Sequence, residues 1–225
     1  MNFFYKIDLY LNLLKYLIKY KYTKKNKDKY SLFLEGFFNK KKNGLYIDVG
    51  CYHPIRMSNT KFLYDKGWHG INLDISKKSI DLFKISRKRD VNLNIGAGDK
   101  NELSNAYFQK DLFPTNTMDY THSKKLLINA VKKKIKVVTL DTVINKYAMN
   151  KKIDFIDIDC EGKDLEVLKG LNFRKNKIGL ISIEMHGYNA YTRKRGKMIF
   201  DIMKKNKFIK IHGHYPGTLI FKLTL

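Results

Sequence analysis

The stretch Ile153-Asp154-Phe155-Ile156-Asp157-Ile158-Asp159-Cys160-Glu161-Gly162 constrains this chain most, because it sets carboxylates inside a run that is otherwise apolar and β-branched. Such a run reads as a buried strand. Desolvating a carboxylate within a sheet costs on the order of several kcal/mol. Asp159 and Glu161 therefore belong at the strand's carboxyl end, where open parallel sheets meet their ligands.

The rest of the chain supports an α/β reading. From Asn43 onward short apolar segments alternate with helical patterns: strands over Leu45–Val49, Ile71–Leu73, Asn92–Ile95, Ile135–Thr139, Ile153–Ile158 and Ile178–Ile183, with helices between them. Alternation of this kind predicts a doubly wound, mostly parallel sheet with helices on both faces. Phe208–His212 and Leu219–Leu223, joined by Gly213-His214-Tyr215-Pro216-Gly217, read as a closing antiparallel hairpin. The length of 225 residues suits one such domain, set at residues 43–225, preceded by an amphipathic helix and basic linker over residues 1–42. The irregular stretch 100–121, with Pro114, reads as a lid or insertion. Because the motif-bearing region begins near Leu45, the N-terminal helix is expected to be dispensable for the core fold.

The formal net charge is +24, which raises the question of an anionic partner. The lysines, however, recur along the whole chain, in Lys24-Lys25, Lys40 to Lys42, Lys77-Lys78, Lys132 to Lys134 and Lys204-Lys205, as solvated faces do. A dedicated nucleic-acid site is not read from them. Phe3 to Tyr20 is interrupted by Lys6, Asp8, Asn12, Lys15 and Lys19, so it is neither a membrane span nor a signal peptide. Its apolar positions Phe3, Phe4, Ile7, Leu11, Leu14 and Ile18 recur at helical spacing, for packing on the domain or for peripheral contact with anionic lipid. The two cysteines form no metal-ligand or disulfide pattern, which fits a reducing, cytoplasmic setting. No metal ligand set is read, His212 and His214 being too few, and nothing specifies an oligomeric state.

Asp48-Val49-Gly50 ends the first strand, where glycine permits a sharp turn and close approach of a ligand. Asp74 ends the second, about 26 residues after Asp48, near the roughly 20-residue offset of an acid that accepts from a ribose diol. These features point to an adenosine-containing cofactor. Cys51-Tyr52-His53-Pro54 stands where a dinucleotide site needs further glycines, and no Gly-Lys-Ser or Gly-Lys-Thr occurs, so a phosphate cradle is missing. S-adenosylmethionine, which carries a ribose and no phosphate, is the economical choice.

Tyr46-Ile47-Asp48-Val49-Gly50, Ser58-Asn59-Thr60, Gly67 to Asp74, Thr139-Leu140-Asp141, Ile153 to Gly162, Leu165 to Gly170 and Ile183-Glu184-Met185-His186, in this order and spacing, resemble the FkbM-type S-adenosylmethionine-dependent methyltransferases. The resemblance runs from about Leu45 to the C-terminus. It implies a class I methyltransferase fold, a Rossmann-like seven-stranded sheet with an antiparallel last strand, and O-methylation of a polyketide, sugar or glycolipid hydroxyl. It further implies that Asp48, Gly50 and the following Cys51 lie at the methionine end of the cofactor, Asp74 at its ribose, and Asn94 to Ala97, with Gly96, at the adenine. Asp159, Glu161, Glu184 and His186 are implied to face the transferred methyl, with Asp159 between cofactor and acceptor. The family often has Ala-Asn and a second glycine where this chain has Cys51 to Pro54.

Methyl transfer is an in-line displacement, so a base is needed chiefly for the hydroxyl proton. His186 has a suitable intrinsic pKa, while Glu161 or Asp159 needs burial to raise its own. The partner expected is a sugar, glycolipid or other small hydroxylated metabolite. An RNA ribose 2′-O-methyltransferase is the competing enzyme reading. A binding module that kept the fold and lost the chemistry competes less well, since a decayed site has no reason to keep buried acids.

Overall fold

Short apolar strands linked by amphipathic helices bury both of their faces only as a sheet between helical layers. The computed structural model, which describes residues 2–23 and 28–224, has this arrangement. Its helices are α1 (Phe3–Thr23), α2 (Lys29–Phe37), α3 (Lys61–Asp65), α4 (Lys77–Ser86), α5 (Tyr120–Leu126), α6 (Leu140–Tyr147), α7 (Asp164–Lys169) and α8 (Ala190–Lys205). The strands are β1 (Leu45–Val49), β2 (His69–Leu73), β3 (Val91–Leu93), β4 (Gly96–Ala97), β5 (Glu102–Phe108), β6 (Val131–Val138), β7 (Ile153–Ile158), β8 (Ile178–Met185), β9 (Phe208–His212) and β10 (Gly217–Leu223).

Seven strands make one sheet in the order β3-β2-β1-β7-β8-β10-β9. The pairings among β3, β2, β1, β7 and β8 are parallel, and β10 runs antiparallel to both β8 and β9. The expected mostly parallel sheet with an antiparallel C-terminal hairpin is therefore present. Strand order reverses between β1 and β7, and that switch point locates the ligand crevice outside their carboxyl ends.

The other three strands form a separate sheet, β4-β6-β5. The segment expected over Ile135–Thr139 is the end of a longer β6, and β5, within the stretch read as a lid, pairs with it antiparallel throughout. Residues 113–118 fold back beside β5, where Thr117 and Tyr107 exchange backbone hydrogen bonds, and line the crevice.

One face of the main sheet packs Ile47, Ile156, Ile158, Ile181 and Ile183 against Leu140, Val143 and Ile144 of α6, Leu165 and Leu168 of α7, and Ile199 and Met203 of α8. The opposite face presents Tyr46, Phe155 and Leu180 to Leu34 of α2, Phe38 and Trp68. The stretch read as a basic linker thus contains a helix that roofs half of the sheet; residues 24–27 of that stretch, with Lys24-Lys25, lie outside the described residues.

The amphipathic helix α1 also differs from expectation. Phe3, Phe4, Ile7, Leu11, Leu14 and Ile18, the stripe read from the sequence, are exposed. The buried face is Leu9 and Leu13, flanked by Tyr5, Tyr16 and Tyr20 and packed on Ile55 and Leu82. His53, fully buried, clips this helix in place: its Nδ1 accepts from the backbone N–H of Ile55 (3.0 Å) and Arg56 (2.9 Å), which leaves the proton on Nε2 to be donated to Asn12 (2.9 Å). Burial lowers the His53 pKa to about 3, as a permanently neutral structural imidazole requires. None of the described helices is long and apolar enough to cross a membrane.

Candidate active site

The carboxyl ends of β1 and β7 touch. Asp159 donates its N–H to the Val49 carbonyl at 2.9 Å, and Gly50 follows with φ +82°, where an added Cβ would stand 1.8 Å from the Asp159 carbonyl oxygen. Glycine is required there by the neighbouring strand as well as by any ligand. Outside this junction lies a cleft of about 510 Å³ bounded by Val49 and Gly50 after β1, Asp74 and Ile75 after β2, Ile95 to Ala97, the crossing segment Phe113 to Met118, and Asp159 to Glu161 after β7.

Asp74 and Asp159 stand on opposite sides of β1 because β2 and β7 flank it. The Asp74 carboxylate accepts from the backbone N–H of Tyr52 (2.8 Å) and of Ser76 (2.7 Å), one bond to each oxygen, which leaves each a lone pair for a ligand. Burial pushes its pKa up to about 6 even though those backbone bonds favour the charged form.

Beyond Asp159 a second set of side chains converges. After β7 the chain makes a tight loop in which Asp164 accepts from the backbone N–H of Cys160 (2.9 Å) and Gly162 (3.2 Å). That loop forces Glu161 into the left-handed region, φ +50°, a conformation that costs about 1–3 kcal/mol in a residue with a Cβ. The strain aims its carboxylate across the mouth of the site, where Oε2 meets His122 Nε2 at 2.8 Å. His122, from α5, is 1% exposed, and its Nδ1 lies 2.9 Å from the Tyr188 hydroxyl. His186, just past β8, places Nε2 at 3.2 Å from Glu184 Oε2 and 4.0 Å from Glu161 Oε2. The 3.2 Å contact is not aligned as a hydrogen bond, so Glu184 Oε2 and His186 Nε2 are both buried without a hydrogen-bond partner.

Electrostatics follow from this crowding. Burial, reinforced by the charges of Glu184 and Glu161, holds the Asp159 carboxyl well above the usual carboxylate range. For Glu184 burial acts upward, yet the neighbouring His186 outweighs it and the net shift is downward. His186 moves the other way, raised by Glu184 against the effect of burial. A second cleft of about 340 Å³, lined by His122, Asp164, Glu184, His186, Tyr188, Tyr191 and Arg195, opens on this group.

The structure brings together Asp159, Glu161, Glu184 and His186, and sets Gly50, Asp74, Gly96 and Asp159 around the larger cleft. Three other residues lie elsewhere. Asp48 points beneath β1, accepting from the Thr60 hydroxyl at 2.5 Å. There it joins a buried network in which Arg87 donates to Thr60 (2.7 Å), Ser58 (2.6 Å) and Tyr46 (3.1 Å). Its pKa is raised to about 7, by burial first and then by Asp157 across the strand pair. Asp157 is held by Asn59 (2.9 Å) and Tyr30 (3.0 Å), so Ser58-Asn59-Thr60 serves the floor of the site. Cys51 is buried with Ile80 and Phe83, off the cleft that Cys160 lines. Asn94 is exposed and donates to the backbone carbonyls of Asp74 and Ile75, both at 3.0 Å, bracing the turn from outside. His122 and Tyr188 were not anticipated from sequence.

In comparison with known families, the methyltransferase FkbM domain matches residues 48–210. The chain belongs to the FkbM methyltransferase family. Its sheet is that of a class I methyltransferase, and its cofactor is S-adenosylmethionine. Among solved structures, a candidate O-methyltransferase from Klebsiella pneumoniae is similar at 10% identity, TM-score 0.49, over 88% of this chain and 81% of that one. A candidate rRNA methylase from Clostridium thermocellum is similar at 12% identity, TM-score 0.46, over 87% and 98%. A SAM-dependent methyltransferase from Aquifex aeolicus follows at 12%, TM-score 0.41, over 91% and 98%. No curated protein matches the sequence.

The cleft of this FkbM methyltransferase fits that cofactor on its own chemistry. Asp74 offers both carboxylate oxygens to a diol, and Ile75 and Ile95 give apolar walls for a purine.

Proposed function

We propose that this FkbM methyltransferase methylates a hydroxyl oxygen of a sugar, glycolipid or other small metabolite. The observation that carries the reading is the convergence of Asp159, Glu161, Glu184 and His186 at the far side of β1 from Asp74, with a narrow second cleft reaching Glu184 and His186. Bound S-adenosylmethionine supplies a methyl group on a positively charged sulfur. The chain's own residues do the rest. Asp74 and the walls of the larger cleft bind and orient the cofactor, and Asp159 stands at the other end of that cleft beside Glu161 and Glu184. The carboxylate and imidazole cluster holds the acceptor hydroxyl and receives its proton. Positioning supplies much of the rate in a displacement of this kind.

The exposed stripe of α1 favours the glycolipid end of that range. Phe3, Phe4, Leu11, Leu14 and Ile18 face outward among the exposed Lys6, Lys15 and Lys21, the pattern of a helix lying on an anionic lipid surface.

The test is transfer of a tritiated methyl group to hydroxylated sugars, glycolipids and short RNA. Incorporation into a sugar or lipid is expected. In His186→Ala and Glu161→Gln, turnover should fall roughly a hundredfold to ten-thousandfold while binding of S-adenosylhomocysteine persists. Labelling of RNA alone would transfer the assignment to the ribose 2′-O-methyltransferase reading.

A further inference from the structure

We propose that His122, Glu161, Glu184 and His186 bind a first-row divalent cation, and that the acceptor hydroxyl is placed by coordinating to it. The second half rests on the hydroxyl-acceptor reading above; the first half does not.

The spacing is that of a ligand set awaiting a centre. The candidate ligand atoms of His122, Glu161 and His186 all lie within 4.8 Å of one another, and so do those of Asp159, Glu161 and Glu184. Ligands each about 2.1 Å from one ion stand about 3.4 Å apart in a tetrahedral arrangement, so the pairs near the 4.8 Å bound close by about 1.4 Å around an ion, and Glu184 joins the histidine set through His186 at 3.2 Å. Two of the atoms concerned, Glu184 Oε2 and His186 Nε2, are buried with no hydrogen-bond partner. Each has instead the other's charge, 3.2 Å away, and a cation between them would give both a directed bond. His122 already has the support typical of a metal-bound imidazole: Tyr188 at its Nδ1 fixes the ring with Nε2 toward Glu161. Among the described residues, the ion-pair partners of Glu161 and Glu184 are histidines, so these carboxylates gather without a lysine or arginine bound to them.

The donor set selects the ion. Two imidazoles with two carboxylates suit manganese, iron, cobalt or zinc, whereas magnesium and calcium favour oxygen alone. The bonding balances without any further reactant. The acceptor oxygen takes an open position on the cation and its proton passes to the Asp159 carboxylate. As the O–C bond forms the C–S bond breaks, and the sulfur leaves as a neutral thioether.

The test uses the full chain, stripped with a chelator and titrated with Co²⁺ alone. One equivalent should bind with visible d–d absorption and be displaced by Zn²⁺. His122→Gln and Glu161→Gln should each weaken binding by at least about tenfold, Tyr188→Phe by roughly ten- to hundredfold through its hold on His122, and His69→Asn on the remote surface by nothing. Calorimetry with S-adenosylhomocysteine confirms that each variant is folded. If a ligand variant is not, Tyr188→Phe decides. No Co²⁺ binding, or binding indifferent to Tyr188→Phe and to the folded ligand variants, overturns the cation site. Full methyl transfer to a sugar or lipid hydroxyl by the chelator-stripped protein likewise overturns it, while leaving the hydroxyl-acceptor reading intact. Tight, variant-sensitive Co²⁺ binding with no transfer to any hydroxyl keeps the site and removes that reading.

Discussion

Asp74 sits between two influences, backbone donors that favour its charge and burial that opposes it, with burial prevailing at a pKa of about 6. A ribose diol donates to the carboxylate, so the cofactor binds the deprotonated form and protons compete with it. Affinity for S-adenosylhomocysteine should therefore fall as pH drops through about 6 and level off above it, with Asp74→Asn abolishing the dependence. Asp74→Ala should lose about 2–3 kcal/mol of binding. Titration calorimetry from pH 5 to 8 measures both, and a flat profile in the unaltered protein would remove Asp74 from the ribose. At this scale the sequence is legible where a residue ends a strand. Asp74, Asp159, Glu161, Glu184 and His186 are visible because a polar residue closing an apolar run has nowhere to go but the crevice. Asp48 and Asp157 look similar but sit inside their strands, and the residues that satisfy them, Thr60 and Tyr30, come from segments with no strand pattern to betray the contact. His122 carries no signal, since only the path of the chain through the second sheet brings it to Glu161.

Helix α1 is an element of the domain rather than an appendage, because Leu9 and Leu13 close over Ile55 and Leu82 and Asn12 completes His53. Leu9→Ala should cost about 2–5 kcal/mol of stability, against about 0.5 kcal/mol or less for Leu11→Ala on the exposed face. Urea denaturation of the two variants separates them, and equal, small effects would show that the helix is dispensable after all. Periodicity established that this segment is a helix but not which side packs, since apolar or aromatic residues occupy both sides of it. For α2 the difficulty is different. Lysines and asparagine surround it, and its short apolar run Leu32-Phe33-Leu34 gives little periodicity, although Leu34 is completely buried against the sheet. The strands of the main sheet were readable because burial on both faces makes them mostly apolar and β-branched, their few acids and amides standing out against that run. The small sheet was not, as β6 is largely lysine and exposed.

The whole molecule carries its formal charge of +24 together with one exposed apolar stripe on α1. Attraction by an anionic surface and burial of that stripe should act together, so the protein should co-sediment with vesicles containing phosphatidylserine and release as salt is raised. Phe3→Ser with Leu11→Ser should weaken this without altering melting temperature, whereas unchanged sedimentation would leave the charge alone responsible. One feature at the centre of the molecule reaches further. One loop serves both clefts, Asp159 to Glu161 lining the first and Gly162 with Asp164 lining the second, and the Thr117 hydroxyl from the crossing segment donates to the Glu161 carbonyl at 2.7 Å. A molecule filling the first cleft is therefore expected to bear on the second through this loop. In kinetic language the expected outcome is a compulsory order, cofactor before acceptor and methylated product before spent nucleoside, which product-inhibition patterns measure; random addition would remove it. With that order, S-adenosylhomocysteine should inhibit by competing with fresh cofactor, so that turnover tracks the ratio of the two rather than the supply of either.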